Sequence, residues 1–263
     1  MKHQYFGDVK DYLKYGLLRE VTRSELKLGV CWMLTPDDTS SDGRKTGYLS
    51  APSTWRRHDP DLYDLLRHAV LTEGLRNLSV IETALKAEFV TSYVPPDRLH
   101  RTDWLARDVL TKDCQLWFFD PGNGIEVPSA PNGRTRSQKH VYWDEVEAVW
   151  ATGASLLIFQ HFARKNHEDH VASLAQEIDK RLAFAEVHAL WTAEVVFLLV
   201  SQPAHRAALA EVRHRVALQW SPRIVERMVA VSKIASSEQL IRERPKRSWG
   251  NRIAAAIRAM FAN

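Results

Sequence analysis

Gln115-Leu116-Trp117-Phe118-Phe119-Asp120-Pro121-Gly122-Asn123-Gly124 is an apolar run closed by an acid and a turn. An unbroken run of large apolar residues, with no polar alternation, fits a strand covered on both faces. Outward from it, helical spacing at Asp103–Leu110 and Trp143–Trp150 flanks a second such run, Ser155–Gln160. A helix over Glu168–Leu182 then precedes Glu186–Leu190 and Glu194–Val200, two strands joined by so few residues that they must form an antiparallel hairpin. Toward the N-terminus, Val9, Leu13, Leu17, Leu18 and Val21 mark a helix over Gly7–Glu25, and Leu28–Leu34 reads as a strand followed by a polar loop to Gly43. Asp61–Leu71 is helical, Ser79-Val-Ile-Glu82 has capping-box spacing, and Glu88–Val94 reads as a strand stopped by Pro95-Pro96. Alternating strands and helices predict an α/β fold, a mostly parallel sheet with helices on both faces and one terminal antiparallel hairpin. After Pro203 the pattern turns helical, at Ala204–Leu218, Ile224–Val231 and Trp249–Phe261. The expected division is therefore an α/β domain over 1–203 and a basic helical C-terminal extension over 204–263.

At 263 residues and 45% apolar content the chain can bury a full core. Its two cysteines, Cys31 and Cys114, build neither a disulfide framework nor a cysteine metal site, which fits a reducing compartment. No apolar run is long enough to cross a bilayer and the opening residues carry no apolar signal core, so the expected location is the cytoplasm, with no membrane partner. The net charge of +4 is unevenly placed: residues 204–263 carry 12 Lys/Arg against 4 Asp/Glu. A basic tail on a near-neutral body suggests an anionic partner such as nucleic acid, although a solvated helix face gives the same count.

In a parallel α/β sheet ligands bind beyond the carboxyl ends of the strands. Three loops there carry polar groups: Thr35 with Asp37, Asp38 and Asp42; Asp120 to Gly124 with Glu126; and Gln160-His161 with Arg164 and Lys165. Asp120 is the sharpest signal, because an acid closing an apolar run is partly desolvated and needs a partner. The competing account is a strand-end acid capping its own turn. Asp8, Asp11 and Lys14 share the first helix, where acids also simply favour a helix start. His161 is a candidate acid/base, or a packed histidine. Ser129–Lys139, with Arg134, Arg136 and Lys139, reads as a basic loop, either a phosphate-contacting flap or plain surface. His167-Glu168-Asp169-His170 misses zinc-helix spacing by one residue.

Gly7-Asp8-Val9-Lys10-Asp11-Tyr12-Leu13-Lys14-Tyr15-Gly16-Leu17-Leu18-Arg19 resembles the opening of a group of uncharacterised bacterial proteins. More distantly, the stretch from Gly7 to Val200 resembles the RlmJ-type rRNA adenine methyltransferases and the three-Cys-motif partner proteins. Those families open with a lysine-bearing helix and place an Asp-Pro motif after a middle strand. The resemblance implies a Rossmann-like, class I methyltransferase-like sheet and S-adenosylmethionine as cofactor. It puts Asp120-Pro121 where the family's Asp-Pro-Pro-aromatic motif receives an amino group. Here Gly122 and Asn123 replace the second proline and the aromatic, and Thr35-Pro36-Asp37-Asp38 replaces the family's glycine-rich turn.

Three readings follow. The first is a methyltransferase-like enzyme acting on nucleic acid, with Asp120, Asn123 and His161 at the reaction and Lys14, Thr35, Asp37 and Asp38 toward the cofactor. The second is a metal-dependent nuclease or phosphodiesterase, with Asp38, Asp120 and Glu126 holding Mg²⁺ or Mn²⁺. The third is a non-catalytic nucleic-acid-binding module. In each, Arg134, Arg136, Lys139, Arg164, Lys165, Lys246 and Arg247 are the expected nucleic-acid contacts.

Overall fold

A computed structural model describes residues 1–134, 136–162 and 166–227 of the chain. The expected contacts Arg164, Lys165, Lys246 and Arg247, and the expected helix Trp249–Phe261, lie outside the described residues. Helix α1 (Val9–Thr22) leads into β1 (Leu28–Cys31), the short α2 (Pro52–Trp55), α3 (Pro60–Arg67), α4 (Ser79–Glu82) and β2 (Glu88–Val90). Then come α5 (Arg98–Trp104), β3 (Leu116–Phe119), β4 (Gly124–Ile125), β5 (His140–Val141), α6 (Trp143–Trp150) and β6 (Ser155–His161). The chain continues through α7 (His167–Arg181), β7 (Glu186–Trp191), β8 (Val195–Ser201), α8 (Arg206–Trp220) and β9 (Val225–Arg227).

Among the described residues, seven strands form one mixed sheet in the order β2-β1-β3-β6-β8-β7-β9, and β4 and β5 form a small parallel pair beside it. β2, β1, β3 and β6 run parallel; β8 is antiparallel to both β6 and β7, as the expected hairpin requires. The fold is thus α/β with a mostly parallel first half. The chain passes from β1 outward to β2 and then back across β1 to β3, so the strand order reverses between β1 and β3. That reversal opens a crevice at the carboxyl ends of the two strands.

The apolar runs are explained by alternation between two covered faces. Val30, Trp32, Leu116, Phe118, Leu157, Phe159, Phe197 and Leu199 join one core with residues of α1, α3 and α8. Cys31, Trp117, Phe119, Leu156, Ile158, Val196 and Leu198 join the other with residues of α5, α6 and α7. Helix α8 belongs to the first core: Leu209, Val212, Val216 and Trp220 are buried there, and Trp220 fills the space a side chain at Gly16 of α1 would need. No helix among the described residues is long and apolar enough to cross a membrane.

Three local expectations are corrected. Ile224–Val231 is not a helix where described: after the cis Ser221–Pro222 bond the chain extends, and β9 pairs with β7. Ser79-Val-Ile-Glu82 does open a short helix, α4, but Ser79 is its first residue and not its cap, and its amide donates to Asn77 Oδ1. Helix α5 also starts earlier than its apolar spacing suggests, since Asp97 accepts from the His100 amide at its N-cap.

Candidate functional site

A cavity of about 690 Å³ lies over the crevice, lined by Lys14 and Asp11 of α1, Thr35 after β1, Asp120 and Asn123 after β3, and His161 of β6. The three sequence-predicted loops therefore converge. Asp8 caps α1 by accepting from the Lys10 amide, and its second oxygen accepts from the Lys45 amide, tying the 41–45 loop to the helix start.

Lys14 is the centre of the site. Its Nζ donates to Asp11 Oδ1 at 2.8 Å and to Asp120 Oδ2 at 2.7 Å, and it sits 4.9 Å from the Phe159 ring centroid. All three charged side chains are buried. Burial opposes the ammonium, but the two carboxylates outweigh it and hold the Lys14 pKa above the ordinary lysine value. Burial pushes Asp11 up to about 6, with Lys14 pulling the other way. Asp11 Oδ2 and the Tyr15 hydroxyl are buried without a well-formed hydrogen bond. Asp120 Oδ1 carries no protein hydrogen bond among the described residues.

The Asp11 shift has a sign that can be measured. An acid raised in the folded state makes the protein lose stability as pH rises from the unfolded value, near 3.8, through about 6. Urea unfolding at pH 4.5 and 7 is expected to show this loss in the wild type, and Asp11→Asn is expected to remove most of it.

The turn after β3 is fixed by contacts remote in sequence. Gly124 has a φ of +108°, and a side chain there would collide with Gln160 Oε1. That space is needed because Gln160 Oε1 accepts from the Ile125 amide at 2.8 Å. Gly122 is different: a Cβ would make only ordinary contact with Lys139. The Asn123 amide donates to the Lys139 carbonyl at 2.7 Å, and the Asn123 side chain reaches His140 Nε2 at 3.2 Å. His161 packs edge-on against Phe159, and burial, aided by Lys10, lowers its pKa to about 4, so the ring is neutral at neutral pH.

The remaining candidates separate. Asp38 pairs with Lys2 and accepts from Ser40 and Gln4, which hold its carboxyl below the usual range. Asp37 accepts from the Gln4 amide. Both acids thus clasp the residues before α1, while Asp42 lines the cavity. Glu126 accepts from the Trp143 amide at the start of α6. Asp38, Asp120 and Glu126 each hold a different partner, and no group of three or more His, Cys, Asp or Glu among the described residues is arranged to hold a metal ion. Arg134 and Arg136 are exposed on the loop leading to Lys139, which lines the cavity.

Compared with family models, curated proteins and solved structures, the chain matches none. The functional reading therefore rests on the site. Sequence reasoning did not single out Arg44, another cavity residue, or His140, which backs Asn123. Arg44 stands in a polar loop with no local signal, and His140 touches Asn123 only because β4 pairs with β5.

Proposed function

We propose that the chain is a methyltransferase-like enzyme acting on nucleic acid, with the carboxyl-edge cavity as its active site and S-adenosylmethionine as methyl donor. The observation that carries this reading is Asp120: it directly follows β3 at the reversal of strand order, lines the cavity, and is held on one oxygen by Lys14. The antiparallel β8, set between β6 and β7, lends support, since a class I methyltransferase sheet also has a late strand that runs against its neighbours. A cavity near 690 Å³ lies within the range of small-molecule sites, about 300–1,000 Å³.

The residues present fit the cofactor in size and charge. Met33, just after β1, takes a left-handed φ of 48°, so the chain turns there without a glycine. Arg44 and Lys139 line the cavity without an ion pair among the described residues and are the groups to hold a carboxylate. When bound, the cofactor supplies an electrophilic methyl group. Asp120 Oδ1 and Asn123 accept hydrogen bonds from the acceptor's amino group, Lys14 holds the Asp120 carboxylate in place through Oδ2, and neutral His161 is placed to take a released proton. Arg134 and Arg136, exposed on the loop before Lys139, neutralise backbone phosphates, a contribution that weakens with salt.

Calorimetric titration with S-adenosylmethionine and S-adenosylhomocysteine tests the reading. Saturation at 100 times the dissociation constant is expected to stabilise the fold by about 2.7 kcal/mol. Asp120→Asn is expected to retain cofactor binding and to lower methyl transfer to RNA or DNA by about 100-fold or more. If neither compound binds, methyl transfer is wrong.

A further inference from the structure

His140 is buried at the start of β5, its Nδ1 3.3 Å from the Ile125 carbonyl and its Nε2 3.2 Å from Asn123 Nδ2. A carbonyl oxygen only accepts, so Nδ1 carries the proton. In a neutral ring Nε2 is then an acceptor, and the group it meets on Asn123 must be the amide NH₂. The Asn123 carbonyl oxygen is left for the cavity, which Asn123 lines.

We infer that His140 is a positioning residue: it fixes the Asn123 amide so that an acceptor, not a donor, faces the substrate, and so selects an amino-bearing base over one with a carbonyl in the same place. The inference rests on the nucleic-acid reading for its substrate and on hydrogen-bond chemistry for its geometry. Protonation would turn Nε2 into a donor and reverse the amide. Burial works against that, with Arg101 of α5 also lowering the His140 pKa, while the Ile125 carbonyl and Glu126 pull it up; the net direction is down. The ring is therefore neutral, and the acceptor presented, at neutral pH.

Two measurements on the full chain test this separately. In ¹⁵N NMR of the imidazole, His140 is expected as the neutral Nδ1–H form at pH 7. Asn123→Asp puts a carboxylate beside Nε2 and is expected to raise the His140 pKa by about one unit or more. An Nε2–H ring, or a pKa indifferent to that substitution, overturns the positioning role. The second measurement compares single-stranded oligonucleotides differing at one base, adenine against hypoxanthine and cytosine against uracil. An amino-bearing base is expected to bind about tenfold more tightly in at least one pair, because the carbonyl analogue sets acceptor against acceptor. Asn123→Ala, at an exposed position, is expected to abolish the preference with the fold intact. Equal binding within both pairs overturns the selectivity. If no oligonucleotide binds at all, the nucleic-acid reading and the selectivity fall together, and the NMR result alone judges the geometry.

Discussion

Lys14→Met is expected to destabilise the protein by about 3–5 kcal/mol, the usual cost of removing one partner from a buried ion pair. Methionine nearly matches the lysine stem in length, so little packing is lost; what remains is Asp11 and Asp120, both 2% exposed, with no cation bonded to either carboxylate and only the buried Met1 amino group, itself pushed down to about 6, nearby. Two buried carboxylates cannot both stay ionised cheaply, and Asp11, already pushed up to about 6 with Lys14 present, would take up a proton. The loss should therefore be larger at pH 8 than at pH 5, opposite to what a simple packing defect gives. Adding Asp120→Asn to Lys14→Met removes one charge and should recover part of the loss. Urea midpoints for the wild type and both variants check this. A midpoint for Lys14→Met equal to that of the wild type would mean that the three side chains do not form a cluster in solution.

That cluster marks the limit of what the sequence discloses. Strand–helix alternation was legible because both faces of the sheet are covered, which leaves β3, β6 and β8 as unbroken apolar runs. Helix α6 has the limits its spacing predicts, Trp143–Trp150, and the β7–β8 hairpin follows from a connection too short for a crossover. Strands β4 and β9 were not legible: two or three residues carry no periodicity, and only pairing with β5 or β7 makes them strands. At the site, Asp120, Asn123, Thr35 and His161 were visible as polar groups at the ends of apolar runs. Lys14 was a cofactor-side candidate through the resemblance alone; on spacing, it and Asp11 read as ordinary helix-start charges, since spacing along one helix cannot show that Asp120, 106 residues from Lys14, lies opposite. Asp37, Asp38 and Glu126 show the converse case, in which acids at the right strand ends bond to backbone amides and Lys2 and do not line the cavity.

Arg101 was equally silent in sequence, and its substitution should show how the site is held. The side chain is 1% exposed, pairs with Glu145 of α6, and stacks 4.8 Å from the Tyr142 ring. Its remaining donors go to the carbonyls of Ser137, at 3.0 Å, and His140, at 2.5 Å. One guanidinium thus fastens α6 and the 137–140 segment to α5. Arg101→Met leaves Glu145 buried without a counterion and is expected to cost about 3–5 kcal/mol. Arg101→Lys restores the charge but not the planar fork, so it cannot serve Glu145 and both carbonyls together. With Lys the fold should survive while the 137–140 segment loosens, and with it the Lys139 carbonyl that holds the Asn123 amide. Hydrogen exchange at the Asn123 amide should accelerate in Arg101→Lys, while the Phe118 amide within β3 slows or speeds only with global stability. If both amides change by the same factor, Arg101 supports the whole fold and has no particular hold on the turn after β3.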